Sequence, residues 1–145
     1  MSAAIVRVSA PEGAELLAQG YVYLDVRTEE EYAGGHPAGA LNVPFMASAS
    51  GRLVQNPDFL AVARAVLPAA ERVLVGCAAG GRSIKAAQAM LDAGFTCVVD
   101  LRPGYGGARN AFGQIVEPGW LAAGLPTELV TAGKSYAELA RLAKA

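Results

Sequence analysis

The residues with the most chemical capacity form one stretch, Gly76-Cys77-Ala78-Ala79-Gly80-Gly81-Arg82-Ser83. It follows the apolar run Arg72-Val73-Leu74-Val75 and precedes a helical pattern from Ser83 to Leu91, which predicts a strand, a tight loop and a helix. A cysteine in that setting meets converging backbone N–H groups and the positive end of a helix dipole, and both favour a thiolate. Cys77 is therefore a candidate nucleophile or sulfur carrier. Ala78, Ala79, Gly80 and Gly81 keep side-chain bulk off the loop, as an approaching anion requires and a core-filling cysteine does not. The second cysteine, in Thr96-Cys97-Val98-Val99, has no glycine loop or helix start beside it and reads as structural.

Spacing separates three chemistries that share this look. Gly76, Gly81, Arg82 and Ser83 match a phosphate-binding G-x-x-x-x-G-K-[ST] loop except that Arg replaces Lys, and the carboxylate that would hold magnesium is not identifiable. A Cys-dependent phosphatase places five residues between its Cys and its Arg, whereas only Ala78 to Gly81 separate Cys77 from Arg82. The smaller ring suits a smaller guest, such as the outer sulfur of a persulfide on Cys77.

Cys77-x-x-Gly80-x-Arg82-Ser83 after a buried strand resembles the active-site loop of single-domain rhodanese-like sulfurtransferases. The resemblance continues upstream in Leu24-Asp25-Val26-Arg27, Glu30-Glu31-Tyr32, Gly35-His36 and Gly39-Ala40-x-Asn42-x-Pro44. Downstream it takes in Gly94-Phe95, Val98-Val99-Asp100-Leu101 and Gly124-Leu125-Pro126, so that it covers about residues 5 to 130. It implies an α/β fold, a single rhodanese-like domain over 1–145 with a mostly parallel central sheet and helices on both faces. It also implies a double displacement: Cys77 takes the outer sulfur of a small-molecule donor as a persulfide among the N–H groups of Ala78, Ala79, Gly80, Gly81, Arg82 and Ser83. A thiol, cyanide or a protein acceptor then removes it. Arg82 orients the anion or braces the loop, and Asp25, Arg27 and Glu31 support the site. No cofactor and no metal are called for. Because Ala78, Ala79 and Gly81 are neutral, capture of the thiosulfate dianion is weakened, and polysulfide or a persulfide is as plausible a donor as thiosulfate. The alternatives are a rhodanese-like binding module without turnover and, less well matched, a phosphatase or arsenate reductase.

The positioning elements follow from local patterns. Ile5 to Val8 is a strand candidate, and Ser9-Ala10-Pro11-Glu12 is a capping box that opens a helix through about Leu17. Tyr21 to Val26 reads as a strand buried on both faces, and Thr28 with Glu31 as a second capping box. Leu41 to Val43 is a brief strand; Asn56-Pro57-Asp58 opens a helix through Val66 with proline at its first position. Val98 to Leu101 completes an alternating pattern that implies a parallel α/β sheet. Ligands bind at the carboxyl ends of such strands, so Cys77, Asp25 to Arg27 and Arg102 are expected on one rim. Asp25 and Arg27 also read as a salt-bridged strand end. His36, the only histidine, is expected in a turn rather than as a base for Cys77.

Between Gly104-Tyr105-Gly106-Gly107 and Trp120, residues 108–119 form an insertion relative to the family. It is expected near the strand ends, as a wall of the pocket or an interface, with Arg102 and Arg109 as sources of positive charge. Ser135 to Lys144 reads as an amphipathic helix capped by Ser135 and Glu138, with Tyr136, Leu139, Ala140 and Leu142 toward a partner surface.

Composition bounds the rest. A 145-residue chain that is 53% hydrophobic with a net charge of −1 is long enough for one core, and it suggests neither disorder nor a nucleic-acid surface. Two cysteines argue against a disulfide framework and for a reducing compartment. Met1 to Arg7 carries no signal-peptide pattern and no apolar run is long enough for a membrane span. The resulting expectation is a cytoplasmic protein.

Overall fold

The computed structural model describes residues 5–144. In chain order its elements are β1 (Val6–Val8), α1 (Ala10–Ala18), β2 (Val22–Asp25), α2 (Glu29–Ala33), β3 (His36–Pro37), β4 (Leu41–Asn42), β5 (Met46–Ala49), β6 (Arg52–Gln55) and α3 (Phe59–Val66). There follow β7 (Arg72–Gly76), α4 (Gly81–Asp92), β8 (Cys97–Leu101), β9 (Ala108–Arg109), β10 (Ile115–Glu117), β11 (Thr127–Glu128) and α5 (Tyr136–Lys144). Five strands make the central sheet in the order β1-β8-β7-β2-β4, all parallel. The expected α/β architecture is present, with helices on both faces.

Strand side chains alternate between two apolar clusters, which is why these strands read as continuous apolar runs. Leu24, Val73 and Val75 join Phe59, Val62, Ala86, Met90 and Leu139 from α3, α4 and α5. Tyr23, Leu74 and Leu101 face the other way, toward Tyr32 of α2, Ala14 and Leu17 of α1, and Trp120. All three capping boxes form. Ser9 Oγ accepts from Glu12 N at 3.3 Å, Thr28 Oγ1 from Glu31 N at 3.2 Å and Ser135 Oγ from Glu138 N at 3.3 Å, each with the glutamate reaching back.

Three expectations are corrected. Pro57 is not the first helical residue, because α3 begins at Phe59. Asn56 takes over the entry: its Oδ1 accepts from Asp58 N at 3.0 Å and its Nδ2 donates to the Pro44 carbonyl at 2.9 Å, so Pro57 lies in an Asx turn ahead of the helix. Leu142 does not join the packed face of α5 and is 63% exposed, while Tyr136, Leu139, Ala140 and Ala143 pack on the core of the same chain. His36 lies in a two-residue strand, paired with β11, rather than in a turn.

Of the short strands that the sequence does not predict, one pair borders the site. Residues 46–55 form a hairpin, β5 with β6, turning through Ser50 and Gly51 at φ of 52° and 78°. Two successive positive φ values suit the tight twist of a two-residue hairpin turn. This hairpin matters to the site.

Candidate active site

The chain leaves the sheet at Gly76, where any Cβ would overlap the buried Tyr23 hydroxyl. Glycine is thus required by packing, and the next residue is set directly at the carboxyl end of β7. Cys77 is 1% exposed, and its sulfur accepts the Gly80 N–H at 3.0 Å and lies 3.4 Å from Ser83 Oγ. Gly80 has a left-handed φ of 97°, and a side chain there would run into the Arg102 carbonyl oxygen. That conformation turns the N–H toward the sulfur and starts α4, whose positive dipole end then faces the thiol.

The loop is fixed from behind. The Cys77 carbonyl accepts from Tyr105 N at 2.7 Å and the Ala78 carbonyl from Gly106 N at 2.8 Å, which ties the loop to the 104–107 turn. Tyr105 in turn lies under Arg27, whose guanidinium carbon is 4.3 Å from the ring centre. Arg27 chelates Asp25 and donates to the Gly35 carbonyl at 2.7 Å, both side chains being buried. This pair braces the end of β2 against the turn that carries the Cys77 loop.

Glu31 and Arg82 form a second brace. Arg82 Nη1 and Nη2 meet Glu31 Oε1 and Oε2 at 2.6 and 3.0 Å, and the Thr28 backbone N–H adds a bond at 3.0 Å. Burial works against the Glu31 carboxylate, but the Arg82 and Thr28 bonds outweigh it and hold its pKa down to about 2. The same bond raises Arg82, which stays cationic but is charge-compensated.

Above the sulfur lies a cleft of about 400 Å³. Ala78, Ala79, Gly81 and Arg82 line one side; Gly80 and Ser83 are fully buried behind Cys77 and touch its sulfur rather than the cleft. Phe45, Met46 and Leu53 form the opposite wall, and Lys85 completes the rim. Sequence reasoning missed these four. Lys85 had a usable signal, since it follows Arg82 by one helical turn and so shares its face. The hairpin residues had only the Ser50-Gly51 dipeptide, which does not say where the hairpin docks.

The insertion does not wall the cleft. Its hairpin β9–β10 places Glu117 on Arg102 at 2.7 and 2.8 Å, and Arg109 donates to the Gly113 carbonyl at 2.7 Å. Neither arginine lines the cleft: Arg102 is held by Glu117 and Arg109 by the Gly113 carbonyl. His36 is buried between the Tyr32 carbonyl and Thr131 Oγ1, each at 2.8 Å, and stacks on Tyr32 away from Cys77. A separate depression of about 260 Å³ between α2 and α5 contains no thiol, so chemistry singles out the Cys77 cleft.

The rhodanese-like domain family matches residues 9–111. The chain is similar to "Thiosulfate sulfurtransferase 16, chloroplastic" of Arabidopsis thaliana, 41% identical over 121 residues, covering 83% of this chain and 91% of that protein. It is also similar to the human "Thiosulfate:glutathione sulfurtransferase", 36% identical over 117 residues, covering 79% of this chain and 91% of the other. Among solved structures, Rv0390 from M. tuberculosis superposes with a TM-score of 0.74 at 29% identity, covering 88% of this chain and all of that one. The expectation of a cytoplasmic protein is corrected by the chloroplastic relatives, which point away from it. Compartment is set by addressing segments that receptors read, not by the folded domain, and more than one compartment maintains free thiols. Among the described residues no helix is long and apolar enough to cross a membrane. With the family's motifs, its fold and a match over more than half of the sequence all present, the chain belongs to the rhodanese-like domain family.

Proposed function

We propose that the protein is a sulfurtransferase that moves sulfane sulfur through a persulfide on Cys77. The observation that carries this reading is the placement of the Cys77 sulfur. It is buried at the N-terminus of α4, bonded by the Gly80 N–H at 3.0 Å, and open only to a cleft. In the reacting form the thiol has lost its proton to solvent, and Ser83 Oγ–H rotates to donate to the sulfur alongside Gly80 N–H. The thiolate attacks the outer sulfur of a donor, a new S–S bond forms, and the donor's own S–S bond breaks with its electron pair leaving on the departing group. With thiosulfate the departing group is sulfite. The outer persulfide sulfur then projects into the cleft, where the N–H groups of the loop face it without reorganising. A thiolate or cyanide attacks that sulfur and returns Cys77 as thiolate, so no net oxidation occurs.

The names of the relatives support this class of reaction: one is a thiosulfate sulfurtransferase and another pairs thiosulfate with glutathione. The cleft reaches Cys77, which is one of its lining residues, and this favours turnover over a purely binding role. Intact-mass spectrometry before and after thiosulfate or polysulfide tests the reading. The expected result is a gain of one sulfur atom, removed by cyanide and absent from Cys77→Ser. A wild-type protein that gains no sulfur from any donor overturns it.

A further inference from the structure

We infer that the Cys77 cleft selects an organic sulfane donor with a single negative charge and an apolar substituent, anchored by Lys85 and by Met46 and Leu53 of the β5–β6 hairpin. The inference rests on the sulfurtransferase reading and narrows its donor.

Charge is the first consideration. Two cationic side chains border the cleft, Arg82 and Lys85, but Arg82 is held bidentately by Glu31 and contributes no net charge. Lys85 makes no salt bridge among the described residues and its side chain is exposed at the rim. One uncompensated positive charge thus faces the donor, which suits a monoanion better than a dianion.

The second consideration is what the other wall can solvate. Phe45, Met46 and Leu53 present no hydrogen-bond donor, and Leu53 is 47% exposed at the hairpin's edge. Seating the sulfonate oxygens of thiosulfate against that wall strips water from them without replacement, which is costly for a charged oxygen. An aryl or alkyl group in the same position gains contact instead. The cleft, at about 400 Å³, is within the usual range for small organic ligands and is larger than an inorganic anion fills.

Benzenethiosulfonate and thiosulfate are related probes in which a phenyl group replaces one anionic oxygen; sulfinate is also a better leaving group than sulfite, so the cleft's share is read from the change in their ratio between wild type and variant. Cys77–S⁻ plus C6H5–SO2–S⁻ gives Cys77–S–S⁻ plus C6H5–SO2⁻. The S–S bond to the sulfonyl sulfur breaks, its electron pair leaves with the sulfinate, and total charge is conserved. Cyanide then takes the outer sulfur as thiocyanate in both assays, so only the donor half-reaction differs.

The experiment is steady-state kinetics with each donor for the wild type, Lys85→Ala, Lys85→Arg and Leu53→Ser, with intact-mass confirmation of loading. In the wild type kcat/KM for benzenethiosulfonate is expected to exceed that for thiosulfate by about tenfold, the equivalent of about 1.4 kcal/mol. Leu53→Ser lowers the ratio about fivefold relative to the wild type. Lys85→Ala raises KM about tenfold with kcat little changed, Lys85→Arg recovers it, and added salt raises KM in the wild type but not in Lys85→Ala. A wild-type ratio at or below one, or a ratio and KM unmoved by both substitutions, overturns the donor assignment while leaving the persulfide reading standing. Failure of the wild type to load sulfur from either probe overturns both.

Discussion

Cys77 and Cys97 flank the same helix and share almost nothing else. Cys77 follows β7 and precedes the amino end of α4, whereas Cys97 follows the carboxyl end of α4 and opens β8. In a parallel sheet this puts them at opposite rims: Cys97 pairs in register with Arg72, the first residue of β7, and Cys77 lies just beyond the last. At the carboxyl rim the chain turns into a helix start, so the Gly80 N–H and a positive dipole end meet the sulfur. At the amino rim the chain arrives from a helix end, where the dipole is negative. There Cys97 finds only the Tyr21 hydroxyl at 3.4 Å. The proposed role of Cys77 therefore rests on the direction of the backbone and not on exposure, since Cys77 is the more buried of the two.

The largest expected effect separates the two thiols. Cys77→Ser should abolish sulfur loading and lower turnover by at least about 10³-fold, as loss of a nucleophile does. Cys97→Ser should keep turnover within about twofold, as expected of a residue outside the site. Equal losses in both variants would erase the distinction.

Gly80→Ala sharpens what the carboxyl rim depends on. The left-handed φ of 97° and the nearby Arg102 carbonyl make any side chain strained, and the N–H that meets the sulfur moves with the backbone. Urea denaturation should show a loss of about 1–3 kcal/mol, and the remaining folded protein should load sulfur more slowly.

Glu31→Gln tests the Arg82 brace. The carboxylate is partly exposed, so a stability loss of only about 0.5–1 kcal/mol is expected. Its pH dependence has a definite sign. Glu31's pKa of about 2 lies below its ordinary value of 4.5, so its contribution is complete above about pH 4.5 and fades as pH falls through about 2. The difference in urea midpoint between wild type and variant should therefore be flat at neutral pH and shrink in acid. Growth of that difference in acid would contradict the assignment.

The smallest effect belongs to the amino rim. The Cys97 contact, followed by burial, raises the Tyr21 pKa, so Cys97→Ala should return it toward its ordinary value in an alkaline absorbance titration. The accompanying stability change should stay below about 1 kcal/mol.

Local information carried a large part of the molecule. The capping boxes at Ser9, Thr28 and Ser135 are complete within four residues each, and all three form as read. The parallel sheet was legible because strands covered on both faces have no polar side to show. The Cys77 loop was legible because its small residues, strand and helix are contiguous. The hairpin at 46–55 was not, since one face is solvated and its short strands carry a weak pattern. The insertion lies by the end of β8, as expected, but off the cleft. Its charged residues satisfy one another, Arg102 with Glu117, and nothing in their order reveals that pairing.

What the sequence by itself determined is the identity and local setting of the thiol: a cysteine between a buried strand and a helix start, with glycines where Tyr23 and the Arg102 carbonyl leave no room. Tertiary structure alone decided which charges reach the cleft. Arg82 is compensated by a glutamate 51 positions away, Lys85 remains unpaired among the described residues, and a hairpin from residues 46–55 supplies the apolar wall. Backbone conformation and dipoles act within a turn or two of chain and are written there. Charge compensation and wall contacts act through space between distant segments, so they exist only once the chain has folded.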